Sequence, residues 1–159
     1  MHIKISISKQ TLILYNDKNI IKNYFVSTAK KGAGEIIDSE CTPRGEHIIA
    51  EKIGGGVKKN SVFVGRVETG ELYKPELRKS FPDRDWILTR ILWLNGVEDG
   101  RNKGKDIDSY SRYIYIHGSP SDIEMGKPGS KGCIRMHNDD VVELFDLVKV
   151  GTRVLISEN

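Results

Sequence analysis

This chain has little of what usually decides function from composition. Its 159 residues contain two cysteines, Cys41 and Cys133, too few for a disulfide framework, and we read both as free thiols. No run is long and apolar enough to span a membrane, and no apolar leader precedes the first strand-like segment, Met1-His-Ile-Lys-Ile-Ser-Ile7. Charge of neither sign dominates: 25 Lys+Arg against 22 Asp+Glu leave a formal +3, which argues against a nucleic acid partner. The glycine-containing loop at 30–38 lacks the Gly-Lys-Ser/Thr ending that a phosphate-binding loop needs. Cys133, His117 and His137 do not have zinc-site spacing, so no metal or other cofactor is expected. There is no internal repeat, low-complexity segment or linker. What remains is one domain over 1–159, large enough to build its core without metals or disulfides.

What is present is mostly β patterning. Ile3, Ile5 and Ile7, then Leu12 and Leu14, alternate as two short strands, and Asn16-Asp17 reads as the turn into a third at 20–26. Thr42-Pro-Arg-Gly45 fits a turn leading into a strand at 46–53. Residues 54–85 form the least regular region, with one strand expected near 62–67, and read as either a cleft-bordering excursion or a plain connection. The run 86–94 is the most apolar and predicts a buried central strand. Arg90 interrupts it, and an arginine there is either paired or lines a cleft. One helix is expected near the C-terminus, where Val141, Leu144, Phe145 and Val148 share a face, with Asn138 as N-cap and Gly151 as the stop. A last strand follows at 152–156.

The chemistry concentrates in Ile114-Tyr-Ile-His-Gly-Ser-Pro120 and Pro128-Gly-Ser-Lys-Gly-Cys-Ile-Arg-Met136. The first ends a strand in a histidine. The second is a glycine-rich loop ending in a cysteine, and together they bring a thiol nucleophile to its base. His117 accepts the proton of Cys133, while the carbonyl of Gly118 or a nearby backbone group holds the imidazole tautomer. The amides of Lys131, Gly132 and Cys133 are candidate donors to the oxyanion of a tetrahedral intermediate. Arg135, two residues on in an extended chain, lies on the same side as Cys133 and suits a substrate carboxylate. Ser130 and Arg90 complete the candidate substrate-binding set. Asp108, Ser109 and Arg112 either brace the site or cap their own loop.

His117-Gly118 followed by Ser130-Lys-Gly-Cys-Ile-Arg-Met136 resembles the signature of the L,D-transpeptidase (YkuD-like) catalytic domain family. Thr42-Pro-Arg-Gly45, Thr89-Arg-Ile-Leu92, Asp108-Ser-Tyr-Ser-Arg112 and Asp140-Val-Val-Glu-Leu-Phe145 extend the resemblance over nearly the whole chain. Lys131 stands where many members carry histidine. The resemblance implies a mainly β, sandwich-like fold with one C-terminal helix and long cleft-bordering loops. It also implies a Cys133 thioester formed at the meso-diaminopimelate–D-Ala bond of peptidoglycan stem tetrapeptides, and acylation by carbapenems. Transfer to a second stem gives a 3-3 cross-link, and transfer to water gives a tripeptide. With no leader in the chain, the expectation leans to water: an L,D-carboxypeptidase of muropeptide recycling in the cytoplasm. A cross-linking enzyme of the periplasm or cell wall follows if an export segment precedes these residues. A cell-wall binding module without catalysis is the remote alternative.

Overall fold

A computed structural model describes all residues, Met1–Asn159. The chain opens with β1 (His2–Ser6), β2 (Thr11–Asn16) and β3 (Asn19–Phe25), an antiparallel meander. Ile3, Ile5, Leu12 and Leu14 are buried, as their alternation requires. β4 (Gly45–Ile53) starts at a glycine with φ 101°, a conformation that a side chain would strain.

The region 54–85 is more ordered than its sequence implies. Instead of one strand it holds a hairpin, β5 (Ser61–Val64) and β6 (Val67–Leu72), then a short helix α1 (Pro75–Ser80). Gly65 and Arg66 both have positive φ, 55° and 67°, which is the two-residue turn whose twist matches antiparallel strands. The expected single strand at 62–67 therefore spans a reversal of direction. α1 adds a second helix to the one anticipated.

β7 (Ile87–Gly96) is the central strand, and the sheet branches there. The main path runs β3-β2-β1, then β10 (Arg153–Ser157), then β4-β7-β5-β6. Off this path, β8 (Tyr115–Gly118) pairs antiparallel with β7 and parallel with β9 (Ile134–Met136). The main path and the branch contribute to one cluster of 19 buried apolar residues. Ile116, Ile134 and Met136 face into this core, which leaves His117, Cys133 and Arg135 for the other face.

The second helix, α2 (Asn138–Leu147), packs Val141, Leu144 and Phe145 on the same core. Its cap differs from expectation. His137 is the N-cap, and Asn138 is the first helical residue, its side chain turned to the sheet. The helix ends at Leu147 with Val148 extended; Gly151, φ 92°, serves the turn into β10 instead.

Candidate active site

His117 sits on β8 and is 1% exposed. Its Nδ1 lies 2.6 Å from the Gly118 carbonyl, so Nδ1 carries the proton and donates it there. Nε2 keeps its lone pair and makes no hydrogen bond within the chain. Burial holds the imidazole below its ordinary value, so it is neutral at pH 7.

Gly118 is itself closely packed. A Cβ at position 118 would run into Asn138 Oδ1 and the Leu88 carbonyl, so only glycine fits. Behind it the β7–β8 register shifts between Leu88 and Ile91, and Thr89 in that interval has φ 75°, an uncommon conformation for a β-branched residue. Thr89 is kept there by its hydroxyl, which donates to Asn138 Oδ1 at 2.8 Å and accepts from the Asn60 amide at 3.1 Å.

Cys133 immediately precedes β9. Its sulphur accepts from the Tyr115 amide and donates to the Tyr113 carbonyl, both at 3.3 Å. Burial pushes the thiol up to about 12, so it rests protonated. No hydrogen bond joins it to the imidazole at rest. Because β8 and β9 pair in parallel with His117 opposite Arg135, the sulphur and the ring share one face of the sheet.

The loop before the cysteine is fastened from both sides. Ser130 Oγ donates to the Cys133 carbonyl at 2.5 Å and accepts from the Gly132 amide at 3.1 Å. Thr42 Oγ1 donates to the Gly132 carbonyl at 2.9 Å, and Gly132 has φ 130° with the Cys41 carbonyl against it. Arg112 in turn holds the Cys41 carbonyl at 2.8 Å. The amides of Lys131 and Cys133 have no partner, whereas that of Gly132 is taken by Ser130. Two of the three expected oxyanion donors are thus free.

A profile of the L,D-transpeptidase catalytic domain (YkuD) matches residues 1–156. The chain belongs to this family.

Among curated L,D-transpeptidases, the putative enzyme YkuD of Bacillus licheniformis is 30% identical over 156 residues, covering 98% of this chain and 64% of the relative. The putative L,D-transpeptidase YqjB of Bacillus subtilis is 51% identical over 57 residues, covering 36% of this chain and 30% of the relative. The chain therefore spans less than two thirds of these relatives' lengths. Among solved structures, L,D-transpeptidase 3 of Mycobacterium tuberculosis aligns with TM-score 0.60 at 16% identity, over 98% of this chain and 60% of that one. The Enterococcus faecium L,D-transpeptidase aligns with TM-score 0.59 at 17% identity, over 98% of this chain and 49% of that one. These two likenesses concern the fold.

Within this L,D-transpeptidase domain the expected substrate-binding residues separate. Arg135 stays at the site, with Nη2 3.5 Å from Asp85 and Nη1 3.1 Å from the Gly129 carbonyl. Ser130 is buried and fully used in bracing its own loop. Arg90 is 8% exposed, donates to the carbonyls of Val57 and Thr89, and stacks over Phe145, so it serves the packing of α2. Arg112 braces the site through Cys41, Ser109 binds His47, and Asp108 only closes its own turn.

Sequence reasoning missed Asp85, Thr89 and Asn138. Only the Thr89 bulge left a trace, as the break of apolar pattern at Thr89-Arg90. The 54–85 excursion does reach the site: Arg66, at the hairpin tip, donates to Tyr115 Oη at 3.0 Å and lies over the rings of Trp93 and Tyr113. No helix is long and apolar enough to cross a membrane.

Proposed function

We propose that this domain is a thiol acyltransferase that opens the L,D bond between meso-diaminopimelate and D-Ala in a peptidoglycan stem tetrapeptide. The reading rests above all on one observation: the loop that ends at Cys133 carries two unpartnered amides, Lys131 and Cys133, while a histidine on the same sheet face keeps Nε2 free. The substrate class comes from family membership.

The thiol leaves the Tyr113 carbonyl and turns to the imidazole. As Sγ bonds to the scissile carbonyl carbon, its proton passes to His117 Nε2, and the amides of Lys131 and Cys133 receive the oxyanion. The imidazolium then protonates the departing D-Ala nitrogen, the C–N bond breaks, and a thioester remains on Cys133. An amine of a second stem attacks that thioester, gives a proton to His117, and expels the sulphur, which is reprotonated from the ring.

Water in place of the amine releases the tripeptide. The preference for water drew on the absence of an apolar leader, which says nothing about the acceptor. The relatives carry the name transpeptidase, and that favours the amine and a 3-3 cross-link. Acylation by carbapenem-like rings fits the same thiol; L,D-transpeptidase 3 of M. tuberculosis was solved with a faropenem-derived adduct.

The test is mass spectrometry of a purified disaccharide tetrapeptide after incubation with the protein and with Cys133→Ala. A cross-linked dimer supports the transpeptidase, and tripeptide alone makes the domain an L,D-carboxypeptidase. An unchanged substrate, or equal turnover by the variant, removes the acyl-transfer reading.

A further inference from the structure

Behind the turn that follows His117, where α2 begins, lies a cavity of about 550 Å³. Its inner wall is Asn138, whose Oδ1 stands against Gly118. Ser121 lines it too, four residues after His117, which keeps the two Cα atoms within roughly 14 Å of each other.

The lining says what kind of ligand fits. All of its nine residues except Tyr73 and Pro75 are polar or charged, the opposite balance to sites for apolar ligands. The charges are compensated within the chain. Lys59 Nζ pairs with Asp139 Oδ1 at 3.2 Å, and Asp122 Oδ2 pairs with Arg78 at 2.5 Å, so an ionic ligand finds no unpaired counter-charge in Lys59, Asp122 or Asp139. Each carboxylate still keeps its second oxygen as an acceptor.

Donors line the same space. The hydroxyls of Tyr73 and Ser121 and the side-chain nitrogen of Asn60 make no hydrogen bond within the chain; Asn60 uses only its Oδ1, which accepts from Asn138 Nδ2 at 2.9 Å. A neutral ligand whose groups both donate and accept satisfies such a mixture, and the hydroxyls of a sugar do both. Tyr73 and Pro75 suit the C–H surface of its ring. In the donor proposed above, three stem residues separate the scissile bond from the disaccharide, an extended reach of roughly 11 Å. The step from His117 to Ser121 is of that order.

We propose that this cavity binds a sugar ring of the glycan that carries the stem peptide, so that the domain recognises its donor at the saccharide as well as at the peptide bond. The choice of a saccharide stands on the lining; its belonging to the donor rests on the acyl-transfer reading.

Binding is measured first, by NMR of the Cys133→Ala protein with chitotriose, a neutral chain of N-acetylated amino sugars. His137 lines the cavity and the other three histidines do not, so its imidazole C–H signals, identified with His137→Gln, report occupancy. Chitotriose is expected to move them and to leave those of His47 in place. Tyr73→Phe and Ser121→Ala should each weaken this binding about three- to tenfold, the loss of one neutral hydrogen bond. In turnover by the wild-type protein, the disaccharide tetrapeptide should have a KM about tenfold or more below that of the sugar-free tetrapeptide at similar kcat. The two variants should raise the first KM and leave the second unchanged, which also shows that they are folded. His137 signals unmoved by chitotriose, or a sugar advantage that survives in both variants, overturn the saccharide site. So does a shift produced by the sugar-free tetrapeptide alone, which would make the cavity a peptide groove. Cleavage of both donors with equal KM leaves acyl transfer standing and removes the site. A chitotriose shift that weakens in the variants, with neither donor cleaved, keeps the saccharide site and removes acyl transfer.

Discussion

Cys133 rests as a thiol on the Tyr113 carbonyl and His117 rests as a neutral base, so the pair is uncharged before substrate arrives. This governs the pH response. Burial keeps His117 below 6.5 and pushes Cys133 up to about 12, so a neutral base and a protonated nucleophile coexist over a wide interval. We expect kcat/KM to fall only where His117 gains its proton, below the usual imidazole range, and to show no alkaline limb from the thiol up to about pH 10. A pH profile on the tetrapeptide checks this; a resting thiolate–imidazolium pair would instead show the limb of a cysteine titrating near or below neutrality. Ser130 gives a second test. As a brace, its loss in Ser130→Ala should lower kcat by about 10- to 100-fold with little change in KM, since both of its bonds fix the oxyanion loop. A rise in KM alone would restore it as a substrate contact.

At the scale of elements, His117 as the proposed base depends on a defect in β7. Thr89, held at φ 75°, positions Asn138 against Gly118, whose carbonyl sets the imidazole tautomer. Thr89→Val should destabilise the fold by about 1–3 kcal/mol and reduce kcat, because a half-buried amide and a buried side-chain oxygen lose their partner. Thr89→Ser, which keeps the hydroxyl, should retain most of both; urea titrations and steady-state kinetics on the two variants separate the outcomes. This dependence was not legible in the sequence. Alternation made the strands readable, and the spacing of His117 and Cys133 singled out two side chains that the fold brings to one sheet face. A bulge, a helix-start Asn138 turned to the sheet, and an Asp85 brought to Arg135 arise only from long-range pairing. Ser130 and Arg90 were misplaced for a related reason: a polar residue near a site in sequence looks the same whether it meets substrate or backbone carbonyls. The hairpin at 61–72 was partly hidden because Gly65-Arg66 is not a common two-residue turn pair.

For the molecule as a whole, acid should be more damaging than the balanced charge implies. His47 is fully buried between the Gly45 carbonyl and the Ser109 hydroxyl, and burial pushes it down to about 4 from 6.5. Above 6.5 the folded and unfolded chains both leave it neutral, and its contribution is complete. Below 6.5 the unfolded chain takes up a proton that the folded one refuses, so stability drains away until about pH 4, by roughly 3 kcal/mol in total. His117, lowered in the same direction, adds to the loss. Urea unfolding at about pH 7 and about pH 5 should show this decline, and His47→Asn should flatten it. An unchanged slope in the variant would assign the acid sensitivity elsewhere.

The sheet order carries a consequence for how the chain reaches this state. β10, last in sequence, lies between β1 and β4, so the opening meander joins the rest of the sheet only through it. A nascent chain leaving the ribosome holds its first strands without their permanent neighbour until residues 153–157 emerge. Deleting β10 would therefore do more than remove one strand. It would part the molecule along a seam, leaving both β1 and β4 with bare edges open to other chains.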